Sequence, residues 1–171
     1  MEDPRLSPWY QYLDIPQREL VDVSFLLLQK KDLLSELKDF SFLVFPLSKA
    51  YEGFLKKVFF DLNLINRETY QGRRFRIGRA FNPDVRNHQR DEDWLYDNVE
   101  TVFGREIARQ LWETWLQCRN RVFHYFASDK QALSLQEAKQ KIDMITQSMQ
   151  LVATHLLSNR IRLAKQAQNR K

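Results

Sequence analysis

Apolar residues recur at spacings of three and four along most of the chain, the mark of helices that bury one face. Leu47, Tyr51, Phe54, Leu55, Val58, Phe59 and Leu62 predict a helix over residues 47–62, with Pro46 near its start and Asn63 near its end. Its polar face carries Lys49, Glu52, Lys56 and Lys57. Upstream, Pro16 is a favoured first-turn residue, and Leu20, Val23, Phe25, Leu27 and Leu28 fill a helix over 17–30. Residues 66–90 hold Gly72, Gly78 and Asn82-Pro83 and no sustained period. They read as a long basic loop, functional or mobile, with one short helical turn around residues 75–81. Helix resumes over 91–103, where Asp91, Glu92 and Asp93 suit the positive end of a helix dipole.

The most informative stretch is 105–126. Ala108, Trp112, Trp115, Val122 and Phe126 form its apolar stripe, with Leu111 and Phe123 beside them, and Arg119 interrupts that stripe between Trp115 and Val122. A final helix starts near Ser134, which with Glu137 fits the spacing of a capping box. Ala138, Ile142, Ile145, Met149, Val152 and Leu156 follow in steps that call for a partner helix. The expected fold is all-α, an antiparallel bundle of four to six helices with a long basic loop. Its expected organisation is an N-terminal extension (1–15), a helical domain (16–157) and a basic tail (158–171), frayed or ordered by a partner.

Composition narrows this further. In 171 residues, 43% hydrophobic and 13% aromatic, a packed core is expected, while four Gly and five Pro are too few for the many turns of a β-sandwich. The single cysteine, Cys118, excludes an intrachain disulfide and a multi-cysteine zinc site and suits a reducing cytosol. No leader pattern follows Met1 and no run of about 18 apolar residues occurs, so a cytoplasmic protein off the membrane is expected. The net charge of +5 is localised: Arg160, Arg162, Lys165, Arg170 and Lys171 carry all of it, leaving residues 1–157 balanced. Within that balance, seven arginines (Arg67, Arg73, Arg74, Arg76, Arg79, Arg86, Arg90) crowd residues 67–90, and five acids with no base follow in 91–100. Such blocks serve as solvated or partner-pairing surface, or steer phosphate.

No nucleotide-binding glycine loop, zinc-protease helix or serine elbow occurs, and His88, His124 and His155 lack metal-ligand spacing. What remains is Arg119-Asn120-x-x-x-His124. With this chain's composition, an Arg five residues before a His and followed by Asn, Asp or His is expected roughly 0.04 times by chance, so the string carries information. On a regular helix Asn120 and His124 share a face and the amide can orient the imidazole, whereas Arg119 lies about 140° away from His124. One copy is then not expected to converge on one phosphate; two copies across a two-fold axis are. Trp112 and Trp115 read as core rather than base-stacking platforms, and Cys118 as a small buried hydrophobe.

The string resembles the R-[N/D/H]-x-x-x-H signature of HEPN domains (higher-eukaryote and prokaryote nucleotide-binding). Residues 40–156, with the helix around Leu47–Lys57, the arginine-rich loop and the closing amphipathic helix, are similar to the HEPN domain of ribonuclease LS-type toxins of bacterial toxin-antitoxin systems. The resemblance implies a metal-independent endoribonuclease acting as a homodimer, with Arg119, His124 and Glu52 catalytic and Asn120 and Lys49 supporting. Lys49 stands where an Arg is usual. The tyrosine that some such toxins place two residues after the histidine is Phe126 here, with Tyr125 one position early, so control by adenylylation is not implied. RNA is the expected partner, contacted by Arg73, Arg74, Arg76, Arg160, Arg162 and Lys165, together with an antitoxin or other regulatory protein; no cofactor or metal is expected.

That chemistry stands on the residues as well. RNA brings its own nucleophile, the 2′-hydroxyl, so the site needs a group that can take or give a proton, as the imidazole of His124 can, and a fixed cation matched to phosphate, as Arg119 is. Two other readings compete: a non-catalytic dimer that binds nucleotide or RNA or serves as a regulatory subunit, and a helical adaptor whose segregated charge mediates protein contacts.

Overall fold

The computed structural model describes residues 3–30, 36–90, 94–125, 127 and 132–168, and of residues 87 and 160–168 the backbone alone. Every regular element among them is helical. A 3-10 turn (Pro4–Leu6) leads into α1 (Pro8–Tyr12) and α2 (Ile15–Gln29), which begins two residues earlier than expected. Its start is set by Asp14, whose N–H donates to Gln17 Oε1 at 3.1 Å, with Pro16 in the first turn. Residues 8–13 are not an appended extension. Trp9, Tyr10 and Leu13 are buried, α1 packs on the last helix, and Arg18 donates to the carbonyls of Tyr10 and Gln11.

The central helix, α3 (Ser41–Asp61), is longer than its periodicity predicts. Asp39 accepts the Ser41 N–H at 3.0 Å and the Ser41 hydroxyl at 2.8 Å, which starts the helix ahead of Pro46. Pro46 therefore lies buried within the second turn, where its missing N–H forfeits one helical hydrogen bond. α3 packs against α2, against α7 (Arg105–Trp115) and against the last helix, α9 (Leu135–Gln168), and its stripe of Leu47, Tyr51, Phe54, Leu55, Val58 and Phe59 is wholly buried. The Tyr51 hydroxyl donates to Leu111 O at 3.0 Å, tying α3 to α7 through a buried bond.

The arginine-rich segment is anchored rather than loose. It holds α4 (Arg67–Gln71), α5 (Ile77–Ala80) and a 3-10 turn (Asn87–Gln89). Ile77 and Phe81 are buried, and the Phe81 ring meets Phe59, Tyr96 and Trp112 at centroid distances of 5.4, 5.3 and 6.2 Å. Arg90 donates to Val85 O at 2.7 Å and to the carboxylate of Asp97 at 2.8 Å, and the Trp94 indole donates to Asn82 O. The segment thus presents arginines on a backbone held by the core.

α6 (Leu95–Phe103) follows; the expected start at residues 91–93 lies outside the described residues. Gly104, at φ +86°, makes the sharp corner into α7 (Arg105–Trp115), a conformation that disfavours any side chain. α7 runs into a π turn (Leu116–Asn120) and a last short helix, α8 (Arg121–Phe123). α9 (Leu135–Gln168) opens with the predicted capping box: the Ser134 N–H and hydroxyl donate to Glu137 Oε2, and the Glu137 N–H donates to Ser134 Oγ. Ala138, Ile142, Ile145, Met149 and Val152 of its stripe are buried. The helix passes Ser158 without a break and runs to Gln168, through the stretch expected to be frayed or ordered by a partner. The side chains of Arg160, Arg162 and Lys165, and all of Phe126, lie outside the described residues. Among the described residues, no helix is long and apolar enough to cross a membrane.

Candidate active site

The sequence string falls where α7 stops being an α-helix. Arg121 N–H reaches back five residues to Leu116 O, the hydrogen bond of a π turn, a rare insertion that concentrates at functional sites. Such a turn needs outside support, and two neighbouring helices give it. From α3, the Ser48 hydroxyl donates to Cys118 O at 2.6 Å; against α9, the Cys118 thiol points to Lys141 O at 3.6 Å. His124 lies just past α8, its N–H on Asn120 O at 3.2 Å and its own backbone extended at φ −107°, ψ 139°.

These two departures from regular helix overturn the geometry expected of the string. Instead of lying 140° apart, Arg119 and His124 of the same chain face one another, with Arg119 Nη1 3.4 Å from His124 Nε2. The Asn120 carbonyl accepts the His124 N–H at 3.2 Å. Arg119 is also held from behind: its Nε lies 3.4 Å from Glu52 Oε2, and its guanidinium carbon lies 5.8 Å from the Trp115 ring centroid. The other oxygen of Glu52 is 3.8 Å from Lys56 Nζ, one turn further along α3. An apolar stripe can therefore carry this arginine, because the charge points out of the seam onto a carboxylate while its stem stays on the helix.

Arg119, Asn120, His124 and Glu52 line one side of a cleft of about 590 Å³. The arginine-rich segment lines the same cleft with Arg76, Ile77, Gly78, Arg79, Asn82 and Asp84, and Trp112 and Trp115 also border it. The two indoles stack at 5.3 Å and are almost wholly buried, which makes them wall rather than stacking platform. Gly78 is what lets the walls approach: a Cβ there would lie 2.2 Å from Trp115 Cη2.

Of the residues singled out in the sequence, Arg119, His124, Glu52, Asn120 and Arg76 meet at this cleft. Lys49, Arg73 and Arg74 do not line it; all three are exposed, and Arg73 contributes its carbonyl to Arg76 Nη1 at 2.5 Å. Arg79, expected only as one of the seven arginines of the block, also lines the cleft, as do Asn82 and Asp84, which the sequence does not single out. For Arg79 there was a signal, since it sits between Ile77 and Phe81, whose apolar side chains turn inward and leave it outward. Burial pushes the Cys118 thiol up to about 12, against a weaker pull from Lys141, so it is no nucleophile. Among the described residues, no three His, Cys, Asp or Glu side chains converge as a metal site.

Chemically the cleft offers two exposed arginines, a third arginine braced by a carboxylate, and an imidazole. An anion entering the cleft can be met by Arg119 and His124 together, with Arg76 and Arg79 lining the same cleft. No family model, no curated protein and no solved structure matches the chain.

Proposed function

We propose that this chain is an endoribonuclease of the HEPN type, cutting RNA by attack of its own 2′-hydroxyl and needing no metal. The observation that carries the reading is the approach of Arg119 Nη1 to His124 Nε2, 3.4 Å within one chain, braced by Glu52 in a cleft that Arg76 and Arg79 also line. His124 takes the 2′-hydroxyl proton, the 2′-oxygen bonds to phosphorus, and the bond from phosphorus to the 5′-oxygen breaks, with water protonating the departing oxygen. Arg119 stabilises the charge that gathers on the phosphorane, and Glu52 fixes the plane of its guanidinium. The products are a 2′,3′-cyclic phosphate and a 5′-hydroxyl.

The working form in this proposal is a cytoplasmic homodimer, a toxin or phage-defence effector restrained by an antitoxin or other regulatory protein. Phe45, half exposed and edge-on to Phe123 at 5.2 Å, and the exposed Tyr125 give the dimer an apolar surface beside His124. Since Arg119 and His124 come from one chain, mixing R119A with H124A subunits is expected to restore no activity.

The test is cleavage of a single-stranded oligoribonucleotide in EDTA by the wild type, R119A and H124A. Cleavage by the wild type, a loss of roughly 10²–10⁴-fold in each variant and no action on the DNA analogue support the proposal. Activity that vanishes in EDTA and returns with magnesium refutes the mechanism. RNA binding without cleavage, unchanged in H124A, replaces it with the non-catalytic reading.

A further inference from the structure

Helix α3 grips the π turn twice. Ser48 and Glu52 are one turn apart on the same face of α3, and they hold consecutive residues: the Ser48 hydroxyl takes the carbonyl of Cys118 at 2.6 Å, and the Glu52 carboxylate takes Nε of Arg119 at 3.4 Å. Ser48 is 2% exposed and Cys118 is fully buried, so water cannot substitute for this bond. A π turn is less favourable than the α-helix it interrupts, and without an anchor the segment gains by returning to α register. A one-residue change of register turns a helix by about 100°, and it would move Arg119 out of its place against His124.

We infer that Ser48 is a positioning residue for the Arg119–His124 pair: it holds the π turn open through the Cys118 carbonyl and thereby places both side chains on one anion. The role in cleavage rests on the ribonuclease reading; the role in anion binding does not. Two probes separate them. One is cleavage of an oligoribonucleotide, resolved into kcat and KM; the other is titration of inorganic phosphate, followed by the imidazole resonances of His124. Three variants are compared with the wild type. Ser48→Ala removes the donor, Ser48→Cys keeps the volume with a weaker donor, and Ser48→Thr keeps the hydroxyl.

Ser48→Ala and Ser48→Cys are expected to melt as cooperatively as the wild type while phosphate affinity at His124 falls about tenfold and kcat falls on the order of 10–100-fold, as for an ångström-scale misplacement. KM should change little, because Arg76 and Arg79 stay in place. Ser48→Thr should recover most of both losses. Wild-type behaviour in Ser48→Cys would show that volume rather than the hydrogen bond matters, and would overturn the inference. So would a kcat and a phosphate affinity in Ser48→Ala equal to those of the wild type, or a loss of kcat and KM together that merely tracks unfolding. A wild type that never cleaves RNA, yet binds phosphate at His124 in a Ser48-dependent way, would remove the ribonuclease reading and support the positioning role.

Discussion

Replacing Gly78 by alanine tests whether the cleft walls are as tightly joined as the structure implies. The new Cβ would lie 2.2 Å from Cη2 of Trp115 and 2.9 Å from two further ring atoms, whereas ordinary contact begins at 3.4 Å. Helix α5 and the indole must therefore separate by about 1.2 Å. Neither side yields cheaply. The Trp115 ring is 7% exposed, stacked on Trp112 and overlaid by Arg119, so pushing it inward disturbs the site arginine. Moving α5 outward pulls on Ile77 and Phe81, both buried, and burying such side chains contributes about 1.5–3 kcal/mol each. Overpacking of this kind costs about 1–3 kcal/mol. For a chain of this size that is a fall in Tm of roughly 2–12 °C. Thermal melting followed by circular dichroism gives the Tm, and tryptophan fluorescence reports the ring. A Tm within about 1 °C of the wild type, with unchanged fluorescence, would show that the walls are loose and the reasoning wrong.

Three further outcomes are expected. Arg76→Ala and Arg79→Ala should each weaken RNA binding and reduce the salt slope by roughly one, measured by fluorescence anisotropy over a salt series, with Tm unchanged because both side chains are exposed. Cys118, its thiol pushed up to about 12 by burial, should resist alkylation by iodoacetamide at mildly alkaline pH in the native protein and react once guanidinium unfolds it; rapid native labelling would show that the π turn opens freely. Burial alone would raise the pKa of Asp39, but the N–H groups of Leu133 and Ser41 and the Ser41 hydroxyl outweigh it and hold the carboxyl below its ordinary value. Its folded pKa being the lower one, Asp39 stabilises the protein above the unfolded value, and that contribution is lost as pH falls through the folded value. The destabilisation by Asp39→Asn in denaturant titrations should accordingly be present at neutral pH and shrink below about pH 4; a difference independent of pH would refute the assignment.

Where structure is decided by neighbours three and four residues away, the chain could be read without coordinates. The stripe of α9 and its Ser134–Glu137 box, the buried face of α3, and the apolar run into Arg119 all report local periodicity, and each is helical as expected. The Arg119–His124 string was visible for the same reason, as a spacing within one segment. Its geometry was not. The π turn depends on a hydroxyl 70 residues away in sequence, at Ser48, and no periodicity within 105–126 carries that information. Likewise Arg79 reaches the cleft because Ile77 and Phe81 are buried against Phe59, Tyr96 and Trp112, and Trp9 is core because α1 finds α9. Helical periodicity is set along the chain, through hydrogen bonds between near neighbours. The meeting of a guanidinium and an imidazole was decided by packing across it, where α3 and α9 hold the π turn that follows α7.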